Sequence, residues 1–225
     1  MEYDLESAFK QPGCPICTMI KKSMDSYFRW FENESDHLLE LLISLSRGGF
    51  CRDHAQQVAA SVKSDLNYTY AFIIRTRQKE IKQFLQETAL IQKKIFPYRE
   101  KNDPHRELNR IISSEPCPVC DLIQKTGTYG SAMIARKFED PINRELYRES
   151  AGLCWEHCAN TLLIAPPEIG LFLLEDHLQR LEDLNREFRE FFRKQDYRFD
   201  HEPKGKEQTA WVRAMELLNG RPYSF

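Results

Sequence analysis

A chain of 225 residues can form one large domain or two small ones around a shared core. Its net charge of −2 and pI near 6.3 exclude a global basic field for nucleic acid, and no stretch approaches the ~20 apolar residues of a membrane span. The acidic start, Met1-Glu2-Tyr3-Asp4, lacks a signal-peptide pattern, so a cytoplasmic protein with reduced cysteines is expected.

Residues 3–11 read as a short helix with Leu5, Ala8 and Phe9 on one side. It leads into Cys14-Pro15-Ile16-Cys17. Residues 16–32 form an amphipathic pattern of Met19, Ile20, Ser23, Met24, Tyr27, Phe28 and Phe31 at helical spacing, which predicts a core-facing stripe. Asn33-Glu34-Ser35-Asp36 is a break and cap signal. A second helix carries Leu38, Leu39, Leu41, Leu42 and Leu45 and ends at Arg47-Gly48-Gly49. A third helix runs from Cys51 to about Val62. Residues 66–96 predict one long helix with Ile74, Ile81, Leu85 and Ile95 along a line, stopped at Phe96-Pro97-Tyr98. Residues 99–104 are a polar linker.

The second half repeats this order. Leu108, Ile111 and Ile112 mark a lead-in over 105–113, followed by Cys117-Pro118-Val119-Cys120. Thr126-Gly127-Thr128-Tyr129-Gly130 then interrupts the equivalent of the amphipathic helix, and two glycines so close predict a loop between two shorter helices. Pro166-Pro167 precedes a long helix over about 168–197. In it Leu174, His177, Leu181, Leu184, Phe188 and Phe191 make a heptad line. This line predicts packing against the 66–96 helix, or pairing between chains in a dimer. His177 on that line reads as a hydrogen-bonded core histidine rather than a further metal ligand. Pro203-Lys204-Gly205-Lys206 is a break. Residues 207–218 form a last helix with Trp211, Met215 and Leu218 on one face, stopped by Asn219-Gly220. No segment alternates as a strand, so the expected fold is all-α. The expected organisation is two tandem helical repeats, residues 1–103 and 104–203, and a helical tail, 204–225.

The chain is organised around a duplicated constellation. Cys14 and Cys17 are followed by Gly49-Phe50-Cys51-Arg52-Asp53-His54, and Cys117 and Cys120 by Gly152-Leu153-Cys154-Trp155-Glu156-His157. Every matched position is offset by 103 residues, without a gap. Three cysteines and one histidine are a usual donor set for structural zinc. A CxxC turn places two sulfurs near one point, and CxxH on a helix aims two donors from one face. Gly49 and Gly152 suit the bend into that helix, whose N-terminus favours thiolate. The reading is two zinc ions per chain. Cys14, Cys17, Cys51 and His54 would hold one, and Cys117, Cys120, Cys154 and His157 the other. Six of the seven cysteines fall into these trios. The seventh, Cys158, lies near the same helix face as Cys154. Both copies have the histidine, whereas Ala55 stands at the place of Cys158, so His157 is the expected ligand.

Four protein ligands per site predict closed, structural centres rather than catalytic ones. No HExxH, GxSxG, Walker or GxGxxG motif is present. Glu156 and Asp53, beside the histidines, fit an outer carboxylate or a helix-start charge. The leading expectation is a zinc-stabilised scaffold that binds a protein or small ligand. A thiol redox sensor, with Cys158 as resolving thiol, or a CPxC dithiol oxidoreductase is the alternative, although the βαβ setting of the latter is missing. Nucleic-acid binding through Lys93, Lys94, Arg99, Lys101 and Arg106 is disfavoured by interleaved acids.

The duplicated CPxC…GxCxxH pattern over about residues 5–200 resembles a type of uncharacterised prokaryotic helical protein, a family of unknown function. The resemblance implies prokaryotic origin and metal binding only, and offers no activity to transfer.

Overall fold

A computed structural model describes residues 5–34, 39–61, 66–93, 116–199 and 201–221. Among these residues there is no strand. The helices are α1 (Leu5–Phe9), α2 (Pro15–Glu34), α3 (Leu39–Arg47), α4 (Arg52–Ser61), α5 (Leu66–Lys93), α6 (Pro118–Lys137), α7 (Pro141–Arg148), α8 (Trp155–Leu162), α9 (Pro167–Arg193) and α10 (Ala210–Asn219). Single 3-10 turns occupy Tyr197–Phe199 and Lys206–Thr209. The expected lead-in over 105–113, the linker 99–104 and the stop at 96–98 lie outside the described residues.

The chain divides into two compact units. One comprises Met1–Ser23 with Ile123–Phe225, the other Met24–Leu122. Each therefore draws on both copies of the repeat.

The core of the first unit holds Ile16, Met19 and Ile20 from α2, Ile134 from α6, Leu153, and Ile169 and Leu173 from α9. Beside it Phe9, Phe138, Tyr147 and Phe172 form an aromatic group. Ring centroids are 5.8 Å apart for Phe9–Tyr147, 5.0 Å for Phe138–Tyr147 and 5.6 Å for Phe138–Phe172. Tilted and edge-on contacts of this kind suit the ring quadrupoles. Helix α7 stands at the place of the first copy's second helix, about 103 residues on. Asp140 caps it by accepting from the Ile142 N–H at 3.0 Å, and Pro141 occupies its first turn. It presents Tyr147 to the aromatic group.

The 126–130 stretch departs from expectation. It forms no loop, and α6 runs unbroken through both glycines. The physical reason is close approach. A Cβ on Gly130 would stand 3.1 Å from Ile16 Cγ1, and one on Gly127 would stand 3.7 Å from both Ile20 Cδ1 and His157 Nε2. The glycines lower helix propensity, but they let α2 and the His157 ring pack directly on the α6 backbone.

The long helix α9 ends at Arg193, short of 197. Of its expected heptad line only His177 is buried, while Leu174 and Leu181 are exposed. The buried side runs instead through Ile169, Gly170, Phe172, Leu173 and His177. Helix α10 packs on α9 and α8, but Trp211, Met215 and Leu218 face outward while Ala210 and Leu217 are buried.

In the second unit Met24, Phe28 and Phe31 from α2, Leu45 from α3 and Val58 from α4 make the core, and α3 packs along α5. Phe31 meets Phe50 edge-on at 5.4 Å. Phe50 thereby seats the turn that precedes Cys51. Ile74, Ile81 and Leu85 on α5 are exposed.

Candidate metal centres

All eight expected donors fall into two clusters, but the pairs are exchanged. Cys14 and Cys17 meet Cys154 and His157; Cys117 and Cys120 meet Cys51 and His54. The sequence reading had placed each CPxC with the CxxH of its own copy. In the structure each cluster takes its CPxC from one copy and its CxxH from the other. The first cluster lies in the first unit and the second in the second. Helix α2 starts at Pro15 and, with 20 residues at 1.5 Å each, is about 30 Å long, so Cys17 stands at the opposite end of it from the segment that leads on to Cys51.

The two clusters share one geometry. In the first, His157 Nδ1 lies 3.6 Å from Cys14 Sγ, 3.5 Å from Cys17 Sγ and 3.1 Å from Cys154 Sγ. In the second, His54 Nδ1 lies 3.5 Å from Cys117 Sγ, 3.3 Å from Cys120 Sγ and 3.1 Å from Cys51 Sγ. The Cys17–Cys154 and Cys51–Cys120 sulfur separations are both 3.8 Å. A tetrahedron with metal–sulfur bonds of about 2.3 Å has sulfur–sulfur edges of about 3.8 Å, and with a nitrogen at about 2.0 Å its mixed edges are near 3.5 Å. All four donor atoms of each cluster lie within 4.8 Å of one another, so each group could hold one metal ion.

The approach to the first cluster is built by the 149–153 turn. Gly152 has φ +79°, and a Cβ there would stand 2.5 Å from Arg180 Nε. Only glycine fits that bend beside the guanidinium. Tyr147 Oη accepts from the Leu153 N–H at 2.9 Å, Ser150 Oγ accepts from the Gly152 N–H at 3.1 Å, and Arg180 donates to Ser150 O at 2.7 Å. Asp176 holds Arg180 at 2.6 Å. Sequence reasoning missed Tyr147, Arg180 and Asp176. Their only signal was a buried-type aromatic and an i,i+4 Asp–Arg pair, neither of which points to a metal centre.

Electrostatics follow the packing. Burial pushes the Cys14 thiol well up, while hydrogen bonds from Cys14 and Cys154 pull Cys17 far down. Burial opposes charge on His157, but its bonds to Cys154 and Cys17 outweigh this and raise it to about 10. In the second cluster burial lowers His54 and raises Cys120 to about 12. Burial works against a Cys51 thiolate, yet the N–H groups of His54 and Asp53 at the start of α4, with the Cys120 and Cys117 thiols, bring it below its usual range. That is the helix-start preference expected from the sequence. A metal ion bound there would take the place of the protons shared within each group.

Cys158 is fully buried and belongs to neither cluster. Burial, with Asp176 and Cys154 adding to it, raises its thiol to about 11. His177 is buried as expected, but among the described residues neither ring nitrogen has a hydrogen-bond partner; its ring is 5.4 Å from that of Trp155.

These observations define a helical protein with two three-cysteine, one-histidine groups able to hold metal ions. The chain belongs to a family of unknown function (DUF6062), whose model matches residues 3–224. No curated protein and no solved structure matches it. No described helix is long and apolar enough to cross a membrane.

Proposed function

We propose that each cluster binds one zinc ion, with Cys14, Cys17, Cys154 and His157 as ligands to the first and Cys51, His54, Cys117 and Cys120 as ligands to the second. The zincs hold a helical scaffold that works by binding another protein. The observation that carries the metal reading is the near-identical donor geometry of the two clusters, with a matching sulfur–sulfur edge of 3.8 Å in each, Cys17–Cys154 and Cys120–Cys51. Thiolate-rich tetrahedral sets select zinc over harder cations. Four protein donors leave no open position, so the role is structural. Each ion can contribute on the order of 10 kcal/mol to its surroundings.

Protein binding is supported by the exposed Leu171, Leu174, Leu178 and Leu181, which follow one face of α9. A row of this kind suits an apolar helix from a partner or a second copy of the chain.

The test is metal analysis of protein purified without added zinc, followed by chelation under circular dichroism. Two zinc per chain and loss of helicity on their removal are expected. A metal-free protein that keeps its full helicity would overturn the reading.

A further inference from the structure

The clusters are alike in geometry and unlike in access. In the first, Cys14, Cys17, Cys154 and His157 are all buried. In the second, Cys117 and His54 are buried, Cys51 is half-buried and Cys120 is exposed. The open pair corresponds, copy for copy, to Cys17 and Cys154. Those two sulfurs lie under the C-terminal segment. Gly220 follows α10 with φ +75°, and a Cβ there would stand 3.0 Å from Cys17 Sγ and 3.3 Å from Cys154 Sγ. Arg221 lies against Gly13, next to Cys14. Gly220 and Arg221 thus form a cap on one centre.

We infer that the second centre is a hydroperoxide-responsive zinc site, in which Cys120 is oxidised and pairs with Cys51, while the capped centre keeps its metal. This rests on the zinc reading above. Cys120 is the more exposed of the two open donors, and Cys51 Sγ lies 3.8 Å from its sulfur. The Cys120 sulfur attacks one peroxide oxygen, the O–O bond breaks and hydroxide leaves, giving a sulfenic acid. The Cys51 sulfur then attacks the Cys120 sulfur. An S–S bond forms, the S–O bond breaks, and the oxygen leaves as water after taking up a proton. Two thiolates lose two electrons, and with two protons from solvent, one for each departing hydroxide, the peroxide is reduced to two waters. The zinc is left with Cys117 and His54 alone and is released. A dithiol reductant restores the site by exchange. The buried Cys158 is excluded as the resolving thiol, because it sits by the capped cluster.

The experiment uses the full chain with its metal content measured first. Hydrogen peroxide is added at one equivalent, zinc release is followed with a chromophoric chelator, and disulfides are mapped by mass spectrometry. One of two zincs is expected to leave, on the order of tenfold faster than the other, with a Cys51–Cys120 disulfide and recovery on reduction. A chain carrying two zincs that releases both together, releases the one at Cys14 first, or forms no bond between Cys51 and Cys120 overturns this inference and leaves the zinc reading intact. A chain with no zinc at either cluster overturns both.

Discussion

The Thr126 hydroxyl donates to Ser23 Oγ at 3.4 Å, and the two residues are 103 positions apart, the offset of the duplication itself. Equivalent points on α2 and α6 therefore touch. Both hydroxyls are buried, and Ser23 in turn donates to Met19 O at 3.0 Å. Contact at matched positions places α2, which begins just after Cys14, alongside the helix that supports His157, through Gly127 and Gly130. The cross-copy ligand set is thus one consequence of how α2 and α6 meet.

The exchange of ligand pairs has a direct genetic test. Cys14→Ser with Cys51→Ser strikes two different clusters under the observed pairing, and both zincs are expected to be lost. Cys14→Ser with Cys154→Ser strikes one, and a single zinc is expected to remain. Copy-by-copy pairing requires the opposite result from each double variant. Metal analysis of the two purified proteins decides between them.

Gly130 is a packing residue in a position where the sequence alone reads as a break. Its replacement by Val would press a branched side chain on Ile16, whose Cγ1 and Cγ2 already stand 3.1 and 3.2 Å from an ideal Cβ. Overpacking of this kind costs about 1–3 kcal/mol. Denaturant unfolding should show that loss. Ile16→Ala in the same chain should recover part of it, which a pure helix-propensity effect would not allow.

That these eight residues form Cys/His clusters was legible in the sequence, because thiolate and imidazole spacing is local chemistry. Their grouping was not. A gap-free duplication gives the same spacing whether each CPxC joins its own CxxH or the other one. The Gly127–Gly130 pair misled for a related reason: propensity prices a glycine against solvent, whereas here its value lies in what Ile16 and His157 bring against it. The α9 heptad line counted apolar residues correctly, but which face is buried was decided by Ile169 and Leu173, off that line. The all-α class survived these errors because helical periodicity is set within each segment.

Cys158 gives a pH prediction. Its thiol is held to about 11 in the folded chain, above the ordinary value of 9.0. Between these values the native state keeps a proton that the unfolded state has released, so stability must fall as pH rises from about 9 towards 11. Below pH 9 both states are protonated and the group adds no slope. Cys158→Ala should flatten the decline across that window and retain both zincs, whereas His157→Ala should lose one. Native alkylation at pH 8 should spare Cys158.

The cap over the first cluster depends on how α10 is held. Glu207 accepts from the Gly205 N–H at 2.7 Å and from Lys194 Nζ at 3.0 Å, and these bonds lower its carboxyl to about 2. Glu187 adds ion pairs to Arg213 and, at 3.0 Å, to Lys206. These contacts tie the 3-10 turn and the start of α10 to α9, and Gly220, which caps the end of α10, lies against Cys17 and Cys154. Glu207→Gln removes the charge and weakens the tie. Gly220→Val acts at the other end, since a side chain there is strained at φ +75° and collides with Cys17 Sγ. Both variants should make the zinc of the first cluster leave faster to a chelator. The Gly220 change should have the larger effect, because it alters the contact itself. The second cluster supplies an internal control, with a release rate expected to stay at the wild-type value. Equal acceleration at both clusters would mean general loosening of the fold, and no acceleration at either would show that the C-terminal segment does not govern access to Cys17 and Cys154.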